Sequence, residues 1–118
     1  MSFHFCTHSW EVRDIDGGTL VKLSNRDLDD ATLPVLVDDL LGLVLESGQP
    51  NLYLDFSNIR MFASVVIGIL VTLNTKLREH GGKLIMVNLN PHLYDICKSI
   101  RLTELLDIRQ EFAVESAV

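Results

Sequence analysis

Cysteines, basic residues and long apolar runs are scarce in this sequence, and each scarcity excludes a class of protein. The two cysteines, Cys6 and Cys97, lack the paired spacing of a metal site or a redox motif. No apolar run reaches the length of a transmembrane helix, and the first residues lack the basic and apolar regions of a signal peptide. We therefore expect a cytoplasmic protein in which Cys97 is a small buried thiol on a helix.

The charge balance is acidic, with a formal net charge of −6 and a pI near 5.0. Such a surface is repelled by nucleic acids and by anionic membranes, so we expect protein partners. The 118 residues, 47% of them hydrophobic, suffice for one core but not for two. We predict a single domain over residues 1–118, with its core at about 10–108. The segments 1–7 and 113–118 are predicted to be disordered, or alternatively to form an added edge segment and a short helix.

The residues of common catalytic and metal sites do not occur in the spacing that these sites need. The four histidines form no triad or metal-ligand pattern, and Asp27, Asp29 and Asp30 lack the glycine and the closing glutamate of an EF-hand loop. No glycine-rich phosphate loop follows a strand, and the loop after Asp55 contains no second carboxylate, histidine or lysine. We predict no enzyme activity, no metal and no cofactor. A small α/β nucleotide-binding or enzymatic domain is the remote alternative.

The most informative stretch runs from Asn51 to Leu89 and predicts a strand, a helix and a second strand. The two strands, Leu52 to Phe56 and Lys83 to Val87, are nearly continuous in apolar residues, which favours strands covered on both faces. The helix between them is predicted to end at Gly81-Gly82 and to bury one apolar stripe. That stripe consists of Val66, Ile69, Leu70, Leu73 and Leu77.

The flanking sequence predicts a hairpin, two more helices and an edge strand. Alternating residues on both sides of Asp16-Gly17-Gly18 predict an antiparallel hairpin, because these residues tolerate positive φ in a tight turn. Pro34 places a helix start near Thr32, and Asn90-Pro91 starts the last helix, before an edge strand near Ile108. The buried stripes of these two helices are predicted to be Leu33, Val37, Leu40, Leu41 and Val44, and Leu93, Ile96, Cys97 and Ile100.

The start of the central helix supports two interpretations. Ser64 is a favourable N-cap residue, because its hydroxyl can accept a hydrogen bond from a free backbone N–H of the first turn. A phosphate on Ser64 would instead lie at the positive end of the helix dipole and add charge to a partly apolar surface. That surface includes Ile67, Gly68 and Val71, which are covered either by the chain itself or by a partner.

Four residues before this helix also have two possible roles each. Asp55 either accepts hydrogen bonds from the loop and holds it in place, which we favour, or acts on a ligand. Arg60 is a solvated surface cation or a contact for a phosphate or an acidic partner. Met61 and Phe62 are either anchors of the core or part of an interface.

Several segments together resemble the STAS domain of bacterial anti-sigma-factor antagonists, over about Val12 to Ile108. The matching segments are Leu54-Asp55-Phe56-Ser57-Asn58-Ile59, Met61-Phe62-Ala63-Ser64, Gly81-Gly82-Lys83-Leu84 and Asn90-Pro91. The resemblance implies an α/β fold in one domain, a sandwich of helices and a mixed sheet with an N-terminal antiparallel hairpin plus parallel strands. In that family the loop typically ends Asp-Ser-Ser-Gly or Asp-Ser-Thr-Gly. Its first hydroxyl residue, phosphorylated by an anti-sigma factor that is also a serine kinase, corresponds to Ser64.

The resemblance implies a regulatory protein that docks an anti-sigma factor and serine kinase, or another STAS-type signalling protein, with self-association left open. In this sequence Ala63 replaces the family's aspartate, Val65 its second hydroxyl residue and Val66 its glycine. These replacements favour the alternative of a STAS scaffold subunit that is not phosphorylated. The predicted partner-binding residues are Asp55, Ser57, Arg60, Met61, Phe62, Ala63, Ser64, Val65, Ile67, Gly68 and Val71.

Overall fold

A computed structural model describes residues 11–29, 32–48 and 51–110 of the chain. Five strands form one sheet in the order β1-β2-β3-β4-β5. The strands are β1 Glu11–Ile15, β2 Gly18–Ser24, β3 Leu52–Asn58, β4 Leu84–Val87 and β5 Asp107–Arg109. The helices are α1 Leu33–Ser47, α2 Ser64–Glu79 and α3 Pro91–Ser99, with short 3-10 turns at Asn25–Leu28 and Leu102–Glu104. The ends predicted to be disordered, 1–7 and 113–118, lie outside the described residues.

The predicted hairpin is confirmed as the antiparallel pair β1 and β2. Its register pairs Ile15 with Gly18 and Glu11 with Lys22. Of the two turn glycines only Gly17 has positive φ, at 90°. Gly18 is required for space, since a Cβ there would lie 2.6 Å from the carbonyl oxygen of Asn51.

The remaining strands run parallel, and a helix connects each to the next. All three helices contribute to one apolar cluster on the same side of the sheet, so the fold has a helical layer and a sheet layer. Leu40 of α1, Leu70 of α2 and Cys97 of α3 meet Leu54 and Phe56 of the central strand in this cluster. The predicted α/β fold with a mixed sheet is confirmed.

The second sheet face carries a smaller apolar cluster. Leu20, Tyr53 and Ile85 lie side by side in register across three strands, and Ile15 and Val87 join them. All four residues of β4 are buried, as predicted for a strand covered on both faces. The same prediction is wrong for β3, in which Leu52, Leu54 and Phe56 are buried but the residues between them are only half-buried.

The buried faces of α1 and α2 differ slightly from the predicted stripes. In α2, four of the five predicted residues are fully buried and Ile69 is partly buried. In α1, three of the five predicted residues are buried, Val37 and Leu41 are partly buried, and Leu36 is fully buried in addition.

The predicted burial of Ile100 is wrong, because its side chain is 51% exposed. Helix α3 ends at Ser99, and the chain turns at Arg101, which has a φ of 63°. This turn directs the backbone toward Leu102, which is buried in place of Ile100.

One buried polar contact fixes α2 to the sheet. The side-chain oxygen of Asn74 accepts a hydrogen bond of 3.0 Å from the backbone N–H of Leu84, the first residue of β4. Asn74 is 8% exposed. A buried N–H without a partner is costly, so this amide helps to set how α2 lies on the sheet.

An ion-pair cluster closes the β5 edge of the sheet. The carboxylate of Asp107 accepts hydrogen bonds from Lys83 Nζ at 3.1 Å and from Arg109 Nε and Nη2 at 3.2 and 3.1 Å. Partial burial raises the pKa of Asp107, but the hydrogen bonds from Arg109 and Lys83 outweigh burial and hold the pKa below its usual value.

Among the described residues, no helix combines the length and the hydropathy needed to cross a bilayer.

Candidate functional site

The candidate site lies at the carboxyl edge of the parallel strands. Strand β3 ends at Asn58, residues Ile59–Ala63 form a loop that we call the α2 loop, and α2 begins at Ser64. Because parallel strands end at the same edge, the segments after β2 and after β4 lie on either side of this loop. Residues distant in sequence can therefore hold the α2 loop.

Asp55 orients the end of β3. Its carboxylate accepts hydrogen bonds from the backbone N–H of Ser57 at 2.8 Å and from the side-chain amide of Asn88 at 3.2 Å. The register of β3 against β2 shifts by one residue between Asp55 and Asn58, so a bulge lies directly before the loop. Ser57 belongs to β3 and Asn88 follows β4, so these contacts fix the end of β3 and do not reach the α2 loop itself.

Asn25 binds the α2 loop from the β2 side. Its side-chain NH2 group donates to the carbonyl oxygen of Met61 at 2.9 Å, and its side-chain oxygen accepts from the backbone N–H of Arg60 at 3.3 Å. The preceding pair, Ser24 with Asn58, is the last register pair of β2 and β3. Beyond the last backbone pair of β2 and β3, the Asn25 side chain thus supplies the hydrogen bonds that join the two segments.

Asn90 binds the same loop from the β4 side. Its NH2 group donates to the carbonyl oxygens of Ile59 and Arg60 at 3.3 and 3.2 Å. Its side-chain oxygen accepts from the backbone N–H of Leu93 at 2.8 Å and caps α3, as predicted. One amide therefore joins the start of α3 to the α2 loop.

Apolar contacts anchor the loop from below. Ile59 is 2% exposed, and the half-buried ring of Phe62 packs edge to face on Phe56, with 6.0 Å between the ring centroids. Met61 is different, since it is 53% exposed. Of the two alternatives for this pair, Phe62 thus has the position of a core anchor and Met61 that of a surface residue.

The prediction that Ser64 is the N-cap of α2 is wrong by one position. Ala63 has the extended backbone of an N-cap residue, with φ −75° and ψ 157°, and Ser64 is already the first helical residue. The hydroxyl of Ser64 is exposed and makes no hydrogen bond to any residue that the structure describes. In the first helical turn, the N–H of Val66 donates to the carbonyl oxygen of Ala63 at 2.9 Å.

The outer face of α2 is partly covered by the chain itself. Ile67 and Val71 are partly buried and pack against the main core, whereas Val65 is 57% exposed and Gly68 is exposed. The exposed apolar surface at this helix start is therefore formed by Met61 and Val65, one on each side of Ser64 in sequence.

The predicted site residues do not all share one surface. Asp55 lies in register with Lys22 and Val87 on the sheet face opposite the helices, and Ser57 is exposed at the bulge. Arg60, Met61, Ala63, Ser64, Val65 and Gly68 are exposed along the α2 loop and the first turns of α2. The roles of Asn25 and Asn88 were not predicted from the sequence, and Asn90 was predicted only as a cap. The available signal was the position of Asn25 and Asn88 directly after strands.

The remaining chemistry of the described residues is sparse. No group of three or more histidine, cysteine or carboxylate side chains converges in this part of the chain. Burial raises the pKa of the Cys97 thiol. Two cavities lined by described residues have volumes of about 210 and about 100 Å³, below the roughly 300–1,000 Å³ of typical small-molecule sites. These cavities lend no support to the nucleotide-binding alternative.

Comparisons with known proteins agree with this architecture. The family model for the STAS domain matches residues 9–115. Among solved structures, the protein TM1081 of Thermotoga maritima superposes with a TM-score of 0.77 at 15% identity, covering 94% of this chain and 88% of that one. An anti-sigma-factor antagonist (STAS) domain protein of Planctomyces limnophilus has a TM-score of 0.69 at 14% identity, with 87% and 91% covered.

A variant of the Moorella thermoacetica protein RsbS has a TM-score of 0.64 at 16% identity, with 86% of this chain and 88% of that chain covered. Comparison with curated protein sequences gives no match. At these identities the likeness to solved structures concerns the fold alone.

Proposed function

Because the chain belongs to the STAS domain family, we propose that it acts as an anti-sigma-factor antagonist or a close relative. In this role it docks an anti-sigma factor with serine kinase activity through the α2 loop and the first turns of α2. The observation that carries the proposal is the helix start itself, where the exposed Ser64 is flanked in sequence by the exposed apolar side chains of Met61 and Val65. Exposed apolar residues before and after this serine, one on the held loop and one in the first turn of α2, favour a protein partner.

The two apolar side chains provide a modest but useful binding energy. Full burial of a methionine or valine side chain stabilises by about 1.5–3 kcal/mol, and Met61 and Val65 have roughly half of their surface left to bury. Each can thus contribute about 1 kcal/mol to docking. Neither residue alone makes an interface, so neighbouring exposed residues such as Arg60 and Gly68 are expected to contact the partner as well.

Phosphorylation of Ser64 is the proposed switch. A phosphate carries a charge of about −1.5 to −2 at pH 7. In an interface that buries Met61 and Val65, this charge would lose water without gaining a partner, which costs several kcal/mol. Such a cost corresponds to a loss of affinity of about a hundredfold or more. The exposure of Ser64, and the lack of a hydrogen bond from its hydroxyl to the described residues, support its role as the acceptor.

The test begins with capture of the partner from cells that naturally contain this chain, with identification by mass spectrometry. The partner is then produced separately, and its dissociation constant is measured by calorimetry for the parent, Ser64→Asp and Met61→Ser. We expect both variants to bind more weakly. Incubation with the partner and ATP should add one phosphate to the parent, detected by intact mass, and none to Ser64→Ala.

Thr75→Asp is the matched control. Thr75 is an exposed hydroxyl residue on the same helix, about 16 Å along the axis from Ser64 at 1.5 Å per residue. Its new charge should leave the dissociation constant unchanged. Equal weakening by Thr75→Asp and Ser64→Asp would mean that acidity in general, and not this site, reduces binding.

A scaffold subunit that is not phosphorylated is the second candidate function. Ala63 and Val65 favour it, because they remove the carboxylate and the hydroxyl that the family pattern has next to the acceptor. This candidate predicts that Met61→Ser weakens binding while Ser64→Ala is neutral and ATP adds no phosphate. The mass measurement therefore separates the two functions.

A further inference from the structure

We propose that Asn25 and Asn90 are positioning residues of this docking site, which hold the α2 loop in the conformation that the partner binds. The inference rests on the proposed function and names residues outside the docking surface that control it. Its basis is the set of hydrogen bonds between two asparagine side chains and three consecutive residues of the loop, Ile59, Arg60 and Met61.

The loop needs such bonds because it belongs to no regular element. Residues 59–63 lie between the end of β3 and the start of α2, and backbone bonds hold them only at the two ends, where the Ile59 N–H donates to Phe56 and the Ala63 carbonyl oxygen accepts from Val66. The carbonyl oxygens of Ile59, Arg60 and Met61 and the N–H of Arg60 are instead bound by side chains of Asn25 and Asn90. Removing these side chains would leave the loop several conformations of similar energy.

The two asparagines act from opposite sides. Asn25 follows β2 and Asn90 follows β4, and these strands flank β3 in the sheet. The loop is therefore fixed at both sides. This fixes the position of Met61, which belongs to the loop, and of Ser64, which directly follows it. Preorganisation of this kind strengthens binding because the partner does not have to order the loop.

Asn90 allows this role to be separated from simple helix capping. Its side-chain oxygen caps α3 through Leu93, while its NH2 group holds the loop. Asparagine, aspartate and serine cap helices about equally well. Asn90→Ser keeps a cap but loses the NH2 donor. Asn90→Asp also keeps the cap, and it turns a carboxylate oxygen toward the carbonyl oxygens of Ile59 and Arg60.

The experiment compares the parent, Asn90→Ser and Asn90→Asp in three measurements. These are the urea midpoint of unfolding, the amide hydrogen exchange of Arg60 by NMR, and the dissociation constant of the separately produced partner from the capture experiment. We expect the urea midpoint of Asn90→Ser to stay close to that of the parent, because the cap of α3 is retained, and that of Asn90→Asp to fall slightly, because its carboxylate faces two carbonyl oxygens. Exchange at Arg60 should accelerate at least tenfold in Asn90→Asp. If the bound conformation falls to about a tenth of the population, the dissociation constant rises about tenfold.

The order of the variants is decisive. Positioning predicts that binding weakens from the parent to Asn90→Ser and again to Asn90→Asp, whereas capping alone predicts three equal proteins. Asn25→Ala should weaken binding in the same way, and His92→Ala, an exposed change in the first turn of α3, should have no effect.

Two results would overturn the proposal in different ways. In the first, Ser64→Asp still weakens binding, but amide exchange at Arg60 is unchanged in the Asn90 variants or accelerates without any change in their affinity. The docking site is then correct, but the asparagines do not position it. In the second, Ser64→Asp and Met61→Ser also leave the dissociation constant unchanged. The proposed docking site is then itself wrong, and so is the positioning role that depends on it.

Discussion

The two glycines of the β1–β2 turn should respond to substitution for different reasons, and Gly18 should be the more sensitive. A Cβ at Gly18 would lie 2.6 Å from the carbonyl oxygen of Asn51 and 2.9 Å from a ring carbon of Tyr53. An ordinary contact begins at about 3.4 Å, so the carbonyl would have to move by about 0.8 Å. That same oxygen accepts a 3.0 Å hydrogen bond from Thr19, which is fully buried.

The size of the effect follows from these contacts. Overpacking of a tight site costs about 1–3 kcal/mol, and a buried N–H that loses its acceptor costs about 1–3 kcal/mol. Since relaxation relieves part of both, we expect Gly18→Ala to lower the free energy of unfolding by about 2–3 kcal/mol. Gly17 has open space around it but a φ of 90°, so Gly17→Ala should cost about 1–2 kcal/mol through its backbone alone.

Urea unfolding followed by far-UV circular dichroism measures these differences. With a slope of about 1–3 kcal/mol per molar, Gly18→Ala should lower the midpoint by about 1–2 M. Gly17→Asn is the matched control, because asparagine tolerates positive φ better than alanine does. Stability should decrease in the order Gly17→Asn, Gly17→Ala, Gly18→Ala. If Gly18→Ala is as stable as Gly17→Asn, the close approach of Asn51 does not explain the glycine.

Three further predictions concern the other end of the chain. Arg101→Gly should raise the free energy of unfolding by about 0.5–1 kcal/mol in urea titrations, because glycine adopts the φ of 63° without strain. Asp107→Asn should cost at most about 1 kcal/mol at pH 7, since Lys83 and Arg109 are nearly half exposed. Because the pKa of Asp107 is lowered on folding, this difference should be present above about pH 4 and vanish as the pH falls through the folded value. With the other cysteine replaced by serine, Cys97 should react with iodoacetamide at neutral pH much more slowly than in the urea-unfolded chain, since its buried side chain is shielded from the reagent and burial raises its pKa.

Local patterns in the sequence predict the elements well where the pattern and the packing agree. The apolar run of β4 is fully buried as predicted, and so are four of the five residues of the α2 stripe, because strongly apolar segments of regular period have few other ways to be buried. Ile100 deviates because the chain leaves the helix one residue earlier than its period suggests. The role of Asn74 could not be predicted from the sequence, since only tertiary packing brings its side chain to the backbone N–H of Leu84.

The candidate site was less predictable than the fold, since it is assembled from three separate connections. The residues from Asp55 to Val71 were predicted to share one surface, but the alternation of β3 places Asp55 on the sheet face opposite α2. The asparagines that hold the loop lie more than 25 residues away from it in sequence on either side. No local pattern marks such contacts.

The exposure of Ala63 and Val65 gives a physical meaning to their departure from the family pattern. Ala63 and Val65 stand where the resemblance implies a carboxylate and a hydroxyl, and both are exposed beside Ser64. The surface around Ser64 is thus less polar and carries one negative charge fewer than the family pattern implies. A partner that fits it must present an apolar patch there, so a phosphate added at Ser64 would meet fewer compensating groups than in a polar interface. Under the proposed function, the replacements at Ala63 and Val65 would therefore make a phosphate on Ser64 a stronger switch.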